Sequence, residues 1–247
     1  MNYRDIFTLD GKTALITGGS GGLGSEIAEA FVQCGANVVV CGRNAKTSGD
    51  IHGIPCDITD EGSVSAMLDG INDRFGRLDI LVNCAGKNIL KPAEDYDTES
   101  FVDVMSLNVT AIHTVTRLVG KRFMIPQMSG KILNLSSVKS IIGTTRDYIA
   151  YCASKGALNM YTKQLACEWG KYNICVNAIA PTFVRTAINS FQLDDKEFYD
   201  SLVSRIPLGR IGQKSDIASA AVFLCGGGAD FITGQVLCVD GGLTARQ

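Results

Sequence analysis

A chain of 247 residues, 46% of them hydrophobic, has ample apolar material for a sizeable core, which excludes a disordered segment. Its net charge of −2, with no long basic run, lacks the electrostatic footprint of a nucleic-acid binder. The apolar runs are strand-sized and far short of a membrane span, and the opening MNYRDIFTLDGK carries acids where a secretory leader would be apolar, so a soluble, cytoplasmic protein is expected.

Strand 13–17 leads through a glycine-rich turn into helix 23–34, and strand 37–41 follows. In ALITGGSGGLGSEIAEAF, Gly18, Gly22 and Gly24 carry G-x-x-x-G-x-G spacing between that strand and that helix. Glycines there permit a tight turn and let backbone N–H groups approach a pyrophosphate at the helix N-terminus, so the stretch reads as a dinucleotide site that also includes Ser20 and Leu23. A site preferring NAD(H) usually places an acid about 20 residues on, at the end of the second strand, to hold the ribose 2′-OH. That position is Gly42, and Arg43 follows it. With no carboxylate to repel a 2′-phosphate and a guanidinium to clamp one, NADP(H) is favoured over NAD(H).

Between strand 37–41 and a short strand expected at 54–56 lies GRNAKTSGDIHG, which leaves little room for a crossover helix and predicts a loop or single turn. Helix 61–75, strand 80–82, helix 99–123, strand 131–135, helix 151–170, strand 174–178, helix 215–224 and strand 236–239 complete the chain. This alternation predicts an α/β fold, a doubly wound parallel sheet with helices on both faces, in one domain over residues 1–247. Nine scattered cysteines contain no C-x-x-C pair, and His52 and His113 lack metal-ligand spacing, so reduced structural thiols and no metal site are expected.

The stretch DYIAYCASK offers two tyrosines ahead of Lys155. Residues four apart share a helix face, so Tyr151 can lie over the lysine ammonium, whereas Tyr148 precedes the expected helix and is cast as a pocket wall or as packing.

Together with the glycine turn, the segments NCAG (83–86), LNVT (107–110), NLSS (134–137), YCASK (151–155), VNAIAP (176–181) and GQVLCVDGG resemble the short-chain dehydrogenase/reductase family, in its order and near its spacing. The resemblance spans nearly the whole chain. It implies a single Rossmann-type domain with a seven-stranded sheet, hydride transfer between nicotinamide and a carbonyl/alcohol pair, and a homotetramer or homodimer. Carried over, the family's tetrad falls on Asn108, Ser137, Tyr151 and Lys155. Tyr151 would exchange the proton, and Lys155 with the nicotinamide cation would lower its pKa from near 10. Ser137 would polarise the substrate oxygen, and Asn108 would hold a water in a proton relay. Asp57 with Ile58 would meet the adenine. Asn83, Ala85 and Gly86 would line the cofactor. Pro181, Val184 and Thr186 match the family's P-G-x-x-x-T, where Thr182 replaces the glycine.

The spacing from Ser137 to Tyr151 is one residue longer than the family commonly shows, which leaves Ser136 and Ser140 as alternatives for the serine role. The resemblance extends to 3-oxoacyl-carrier-protein reductases, gluconate-type sugar-acid or polyol dehydrogenases and hydroxysteroid dehydrogenases. Substrate choice is expected in the stretch 182–207, with Arg185 or Arg146 as a partner for a substrate carboxylate. A cofactor-binding regulator without catalysis would be expected to lack the serine, tyrosine or lysine, and all three are present.

Overall fold

The apolar runs become strands buried on both faces, as a parallel sheet requires. All five residues of β1 (Thr13–Thr17) and all eight of β6 (Ile174–Pro181) are buried. The computed structural model describes residues 5–186 and 190–246. The remaining strands are β2 (Asn37–Gly42), β3 (Ile51–Pro55), β4 (Ile80–Asn83), β5 (Gly130–Leu135) and β7 (Val236–Val239). They form one parallel seven-stranded sheet in the order β3-β2-β1-β4-β5-β6-β7.

Helices α1 (Gly22–Gln33) and α9 (Lys214–Cys225) pack on one face of the sheet through Ile27, Phe31, Ile217 and Leu224. Helices α2 (Glu61–Phe75), α4 (Ile112–Val119) and α6 (Ile149–Trp169) cover the other face through Val64, Leu68, Val115 and Leu165. Apolar residues three and four apart, such as Val64, Met67, Leu68 and Ile71, place one stripe of each helix against the strands. Truncating a fully enclosed side chain such as Phe31 to alanine costs about 3–5 kcal/mol.

Two departures from the sequence expectation have local causes. The third strand begins at Ile51, earlier than the expected 54, because the short β2–β3 connection doubles back. Ser48 and Ile51 exchange two backbone hydrogen bonds of 3.0 Å, and the Thr47 hydroxyl accepts the Gly53 N–H at 3.1 Å. No helix intervenes, as the composition of that stretch predicts. The helix expected over 99–123 is a longer run. It passes from α3 (Thr98–Met105) through a π-helical segment (Ser106–Ala111) into α4, then through a second (Gly120–Met124) into α5 (Ile125–Gln127).

Beyond β6, the expected substrate stretch carries α7 (Ser190–Asp194) and α8 (Lys196–Val203). These helices have a small core of their own, Leu193, Leu202, Ile206 and Ile211, against which Phe183 and Phe198 pack. The positions 187–189 in that stretch lie outside the described residues. Among the described residues no helix is long and apolar enough to cross a membrane.

Candidate active site

The strand order reverses between β1 and β4, and their C-terminal ends open the crevice where ligands of such sheets bind. Gly18, directly after β1, has φ +67°, and a Cβ there would lie 2.9 Å from Ala85 Cα. A Cβ on Gly24 would lie 2.5 Å from the Gly18 carbonyl oxygen, so α1 starts directly on the turn. Gly22 adopts φ +59°, Ser20 is exposed and Leu23 is half-buried. The N-cap of α1 is Gly21, which offers no side-chain acceptor, so the first-turn N–H groups remain available to an anion.

One residue outside the sequence reading organises this corner. The Thr17 hydroxyl accepts the N–H groups of Cys84 and Ala85 at 3.1 and 3.2 Å, pinning the β4 turn to the end of β1. A buried threonine closing the strand before the glycines is the signal that could have found it.

At the far end of the crevice Asp57 is exposed and Ile58 buried. Hydrogen bonds from the Thr59 hydroxyl (2.7 Å) and N–H (3.0 Å) to Asp57 Oδ1 lower the carboxyl's pKa, with a smaller contribution from Arg43. Asp60, not Asp57, caps α2 by accepting from Gly62 and Ser63, so Asp57 is not spent on the helix start. Arg43 is exposed, and no ion pair engages it among the described residues. These features fit a dinucleotide: an uncapped helix start for a pyrophosphate, a close-approach glycine turn and an uncommitted cation beyond β2.

Around the expected tetrad, Tyr151 and Lys155 stand one turn apart on α6, with the ammonium 5.6 Å from the phenol ring centroid. Ser137 hydrogen-bonds the Tyr151 side chain, and its Oγ accepts the Lys139 N–H at 3.2 Å. The other two serines are engaged elsewhere. Ser136 Oγ donates to Asn159 Oδ1 at 2.6 Å, Asn159 Nδ2 donates to Ser140 Oγ at 2.7 Å, and Ser140 donates to the Ser137 carbonyl. The longer loop is therefore absorbed after Ser137, and Ser137 is the serine that meets the tyrosine.

Burial pushes the Tyr151 phenol up to about 12, more than the hydrogen bond from Ser137 lowers it. Lys155 alone does not offset that burial. Lys155 is itself pushed down to about 8 by burial, and its Nζ donates to the Leu135 carbonyl at 2.6 Å.

Asn108 sits inside the first π-helical segment. Its Oδ1 accepts the Lys87 N–H at 2.9 Å, and its Nδ2 donates to the Lys87 carbonyl at 2.9 Å and to Ser154 Oγ at 3.0 Å. The side chain thus clamps the loop after β4, and Gly86 lies against both the Asn108 amide and the Lys155 ammonium. Asn83 turns inward rather than toward a cofactor. Its Nδ2 donates to Thr116 Oγ1 at 3.0 Å and to Asn134 Oδ1 at 2.9 Å, and Asn134 donates on to Thr162. This buried polar ladder ties β4 and β5 to α4 and α6.

Past β6, Pro181 and Val184 are buried, and Val184 bridges to Gly212, whose N–H donates to the Phe183 carbonyl at 2.9 Å. The Thr182 hydroxyl, standing at the family's glycine, is buried without a hydrogen-bond partner among the described residues. Thr186 is half-buried and lines a cavity of about 710 Å³ with Arg185, Tyr199, Arg210 and Lys214. Neither Ser137 nor Tyr151 lines that cavity. Arg185 pairs with Asp194 at 2.6 Å, so its charge is already compensated. No group of three or more His, Cys, Asp or Glu side chains among the described residues is placed to hold a metal ion.

A family profile described as Enoyl-(Acyl carrier protein) reductase matches residues 18–244. The chain belongs to the short-chain dehydrogenase/reductase family and is an oxidoreductase of that family. It is similar to gluconate 5-dehydrogenase of Gluconobacter oxydans (39% identical, 99% of each chain covered). It is also similar to D-threitol dehydrogenase of Mycolicibacterium smegmatis (37% identical, 97% of this chain and 95% of the relative). Among solved structures, a gluconate 5-dehydrogenase from Burkholderia cenocepacia in complex with NADP and tartrate superimposes with a TM-score of 0.94, at 34% identity and full coverage of both chains.

Proposed function

We propose that this chain is an NADP(H)-dependent dehydrogenase that interconverts a ketone and a secondary alcohol on a small sugar acid or polyol, with Tyr151 as general acid/base. The observation that carries the reading is the arrangement of Ser137, Tyr151 and Lys155 beside the glycine turn. The bound nicotinamide supplies or accepts the hydride. In the reducing direction the Tyr151 hydroxyl gives its proton to the carbonyl oxygen, and Ser137 holds that oxygen as charge develops on it. Lys155 restrains the charge left on the phenol, and Asn108 keeps the Lys87 loop closed over the lysine.

The glycine turn at Gly18, Gly22 and Gly24, with Ser20 and Leu23, would take the pyrophosphate. Asp57 and Ile58 would take the adenine, Ala85 and Gly86 the near ribose, and Pro181, Val184 and Thr186 the carboxamide. Arg43, with no acid at Gly42, favours the 2′-phosphate. NADP in the Burkholderia structure supports that choice, and its tartrate, with the named activities of the relatives, supports polyhydroxy and acidic substrates. Exposed Val102 on α3, with Ile149 and Met160 on α6, provides apolar surface for a homodimer or homotetramer. Nine free thiols suit a cytoplasmic location.

A panel of 5-keto-gluconate, an acetoacetyl thioester and a keto-steroid, each with NADPH and NADH, tests the reading. Turnover of the keto acid with NADPH, lost in Tyr151→Phe, is expected. Turnover of the thioester alone would move the substrate class, and hydride transfer surviving in Tyr151→Phe would remove the proposed acid/base.

A further inference from the structure

We propose that Lys139, Arg146 and Arg205 form an anion receptor beside Tyr151, selecting substrates with a carboxylate or phosphate group over neutral polyols. This rests on the carbonyl/alcohol reading above and adds to it the residues that choose the substrate.

Lys139 is fixed relative to the reacting groups, because its N–H binds the Ser137 hydroxyl oxygen at 3.2 Å. Its ammonium lies 5.5 Å from the Tyr148 ring centroid, and the Tyr148 ring stands 6.1 Å from that of Tyr151 at a steep interplanar angle of 64°. The charge is thus two ring contacts from the phenol. From the other side, Arg146 stacks on Phe198 of α8 at 4.5 Å, and Arg205, just past α8, is tethered through Nε to the Ser201 carbonyl at 3.0 Å. The charges of Arg205 and Arg146 both act on Lys139, so the turn after β5, the loop before α6 and the end of α8 each bring a cation to this region.

None of the three is ion-paired among the described residues. Neighbouring cations are: Arg185 with Asp194, Lys196 with Asp200 and Arg210 with Asp216. Asp147 pairs with none of the cluster, and Asp195 is used as the cap of α8. Lys139 is half-buried, and its pKa is lowered by that burial, with Arg205 and Arg146 adding to the effect. A half-buried cation facing other cations is costly to leave uncompensated, and a substrate anion removes that cost. Of the two arginines expected at the sequence level to meet a substrate carboxylate, Arg146 is free to do so and Arg185 is not.

The test is calorimetric binding to the NADPH-loaded enzyme of three probes on one carbon chain: D-glucitol, D-gluconate and D-glucitol 6-phosphate. At least one anion is expected to bind about tenfold tighter than glucitol, equivalent to about 1.4 kcal/mol. The stronger of the two identifies carboxylate or phosphate. The preference should collapse in Lys139→Gln, persist in Lys139→Arg, and shrink in Arg146→Gln, whose exposed site makes misfolding a poor explanation. Glucitol binding as tightly as both anions, or Lys139→Gln weakening all three alike, would overturn the receptor. Binding is read without turnover, so gluconate held through Lys139 by a protein that reduces no ketone would refute the hydride-transfer reading and leave the receptor standing.

Discussion

The Lys155 ammonium lies 5.6 Å from the centre of the Tyr151 ring, and burial drives the two groups' pKa values apart, the lysine down to about 8 and the phenol up to about 12. The signs follow directly. Reduction needs the protonated phenol, present throughout the accessible pH range, and a charged lysine, present below about 8. Oxidation needs the phenolate. The kcat/KM for ketone reduction is expected to stay level up to about pH 8 and fall above it, while that for alcohol oxidation rises with pH. Paired pH profiles check this, and a reduction rate that climbs through pH 8 would refute the assignment. Tyr151→Phe should lower both directions by about 10²–10⁴-fold, the contribution of a positioned acid/base.

Ser136 and Ser137 are adjacent yet should respond to alanine in different assays. Ser137→Ala removes the hydroxyl beside Tyr151 and is expected to lower kcat by about 10²–10³-fold with the fold intact. Ser136→Ala takes the donor away from Asn159 Oδ1, held at 2.6 Å in a partly buried site. Leaving such a group unpaired costs about 1–3 kcal/mol, with a loss of about 2–4 °C in Tm for each kcal/mol in a chain of this size. Thermal melts and initial rates on the two variants separate the roles. Loss of kcat in Ser136→Ala without a change in Tm would exchange them.

What could be read from the sequence was whatever local pattern controls. The strand over 13–17 is where its apolar run places it, and the glycine turn follows because only glycine tolerates the approach of Ala85 to Gly18. The pairing of Tyr151 with Lys155 is a matter of helix spacing. Less legible were the features set by partners distant in sequence. Asn83 turns inward because Thr116 and Asn134 wait for it on other elements. Arg185 is compensated because α7 delivers Asp194, while Arg146 instead meets the face of Phe198. Asn159, a turn beyond Lys155 on α6, captures Ser136 and Ser140 and leaves Ser137 to the side of Tyr151. No periodicity encodes such pairings.

Arg43 stands beyond β2, which ends at Gly42, where a carboxylate would favour NAD(H). Arg43→Gln is expected to raise the Kd for NADPH about tenfold, about 1.4 kcal/mol, and to leave that for NADH within a factor of two or so, because only NADPH carries the 2′-phosphate. Gly42→Asp should move the preference further in the same direction by repelling that phosphate. Fluorescence titrations with both nucleotides decide the matter. Equal weakening for NADPH and NADH would take Arg43 out of phosphate recognition.

Gly24 is buried where α1 leaves the turn, with the site of a Cβ only 2.5 Å from the Gly18 carbonyl oxygen. That contact is to backbone, which cannot swing aside as a side-chain end would, so Gly24→Ala must push α1 away from the turn. Overpacking of this kind costs about 1–3 kcal/mol. It also moves the first-turn N–H groups that would hold the pyrophosphate. Gly24→Ala is therefore expected to lower Tm and to weaken NADPH and NADH alike, unlike Arg43→Gln. Gly21→Ala is the matched control, since a Cβ there meets nothing within 4 Å and the backbone φ of −169° suits any residue. Its Tm should stay near that of the parent. A Gly24→Ala protein with parental Tm and parental affinity for both nucleotides would show that the helix does not rest on the turn as the geometry requires.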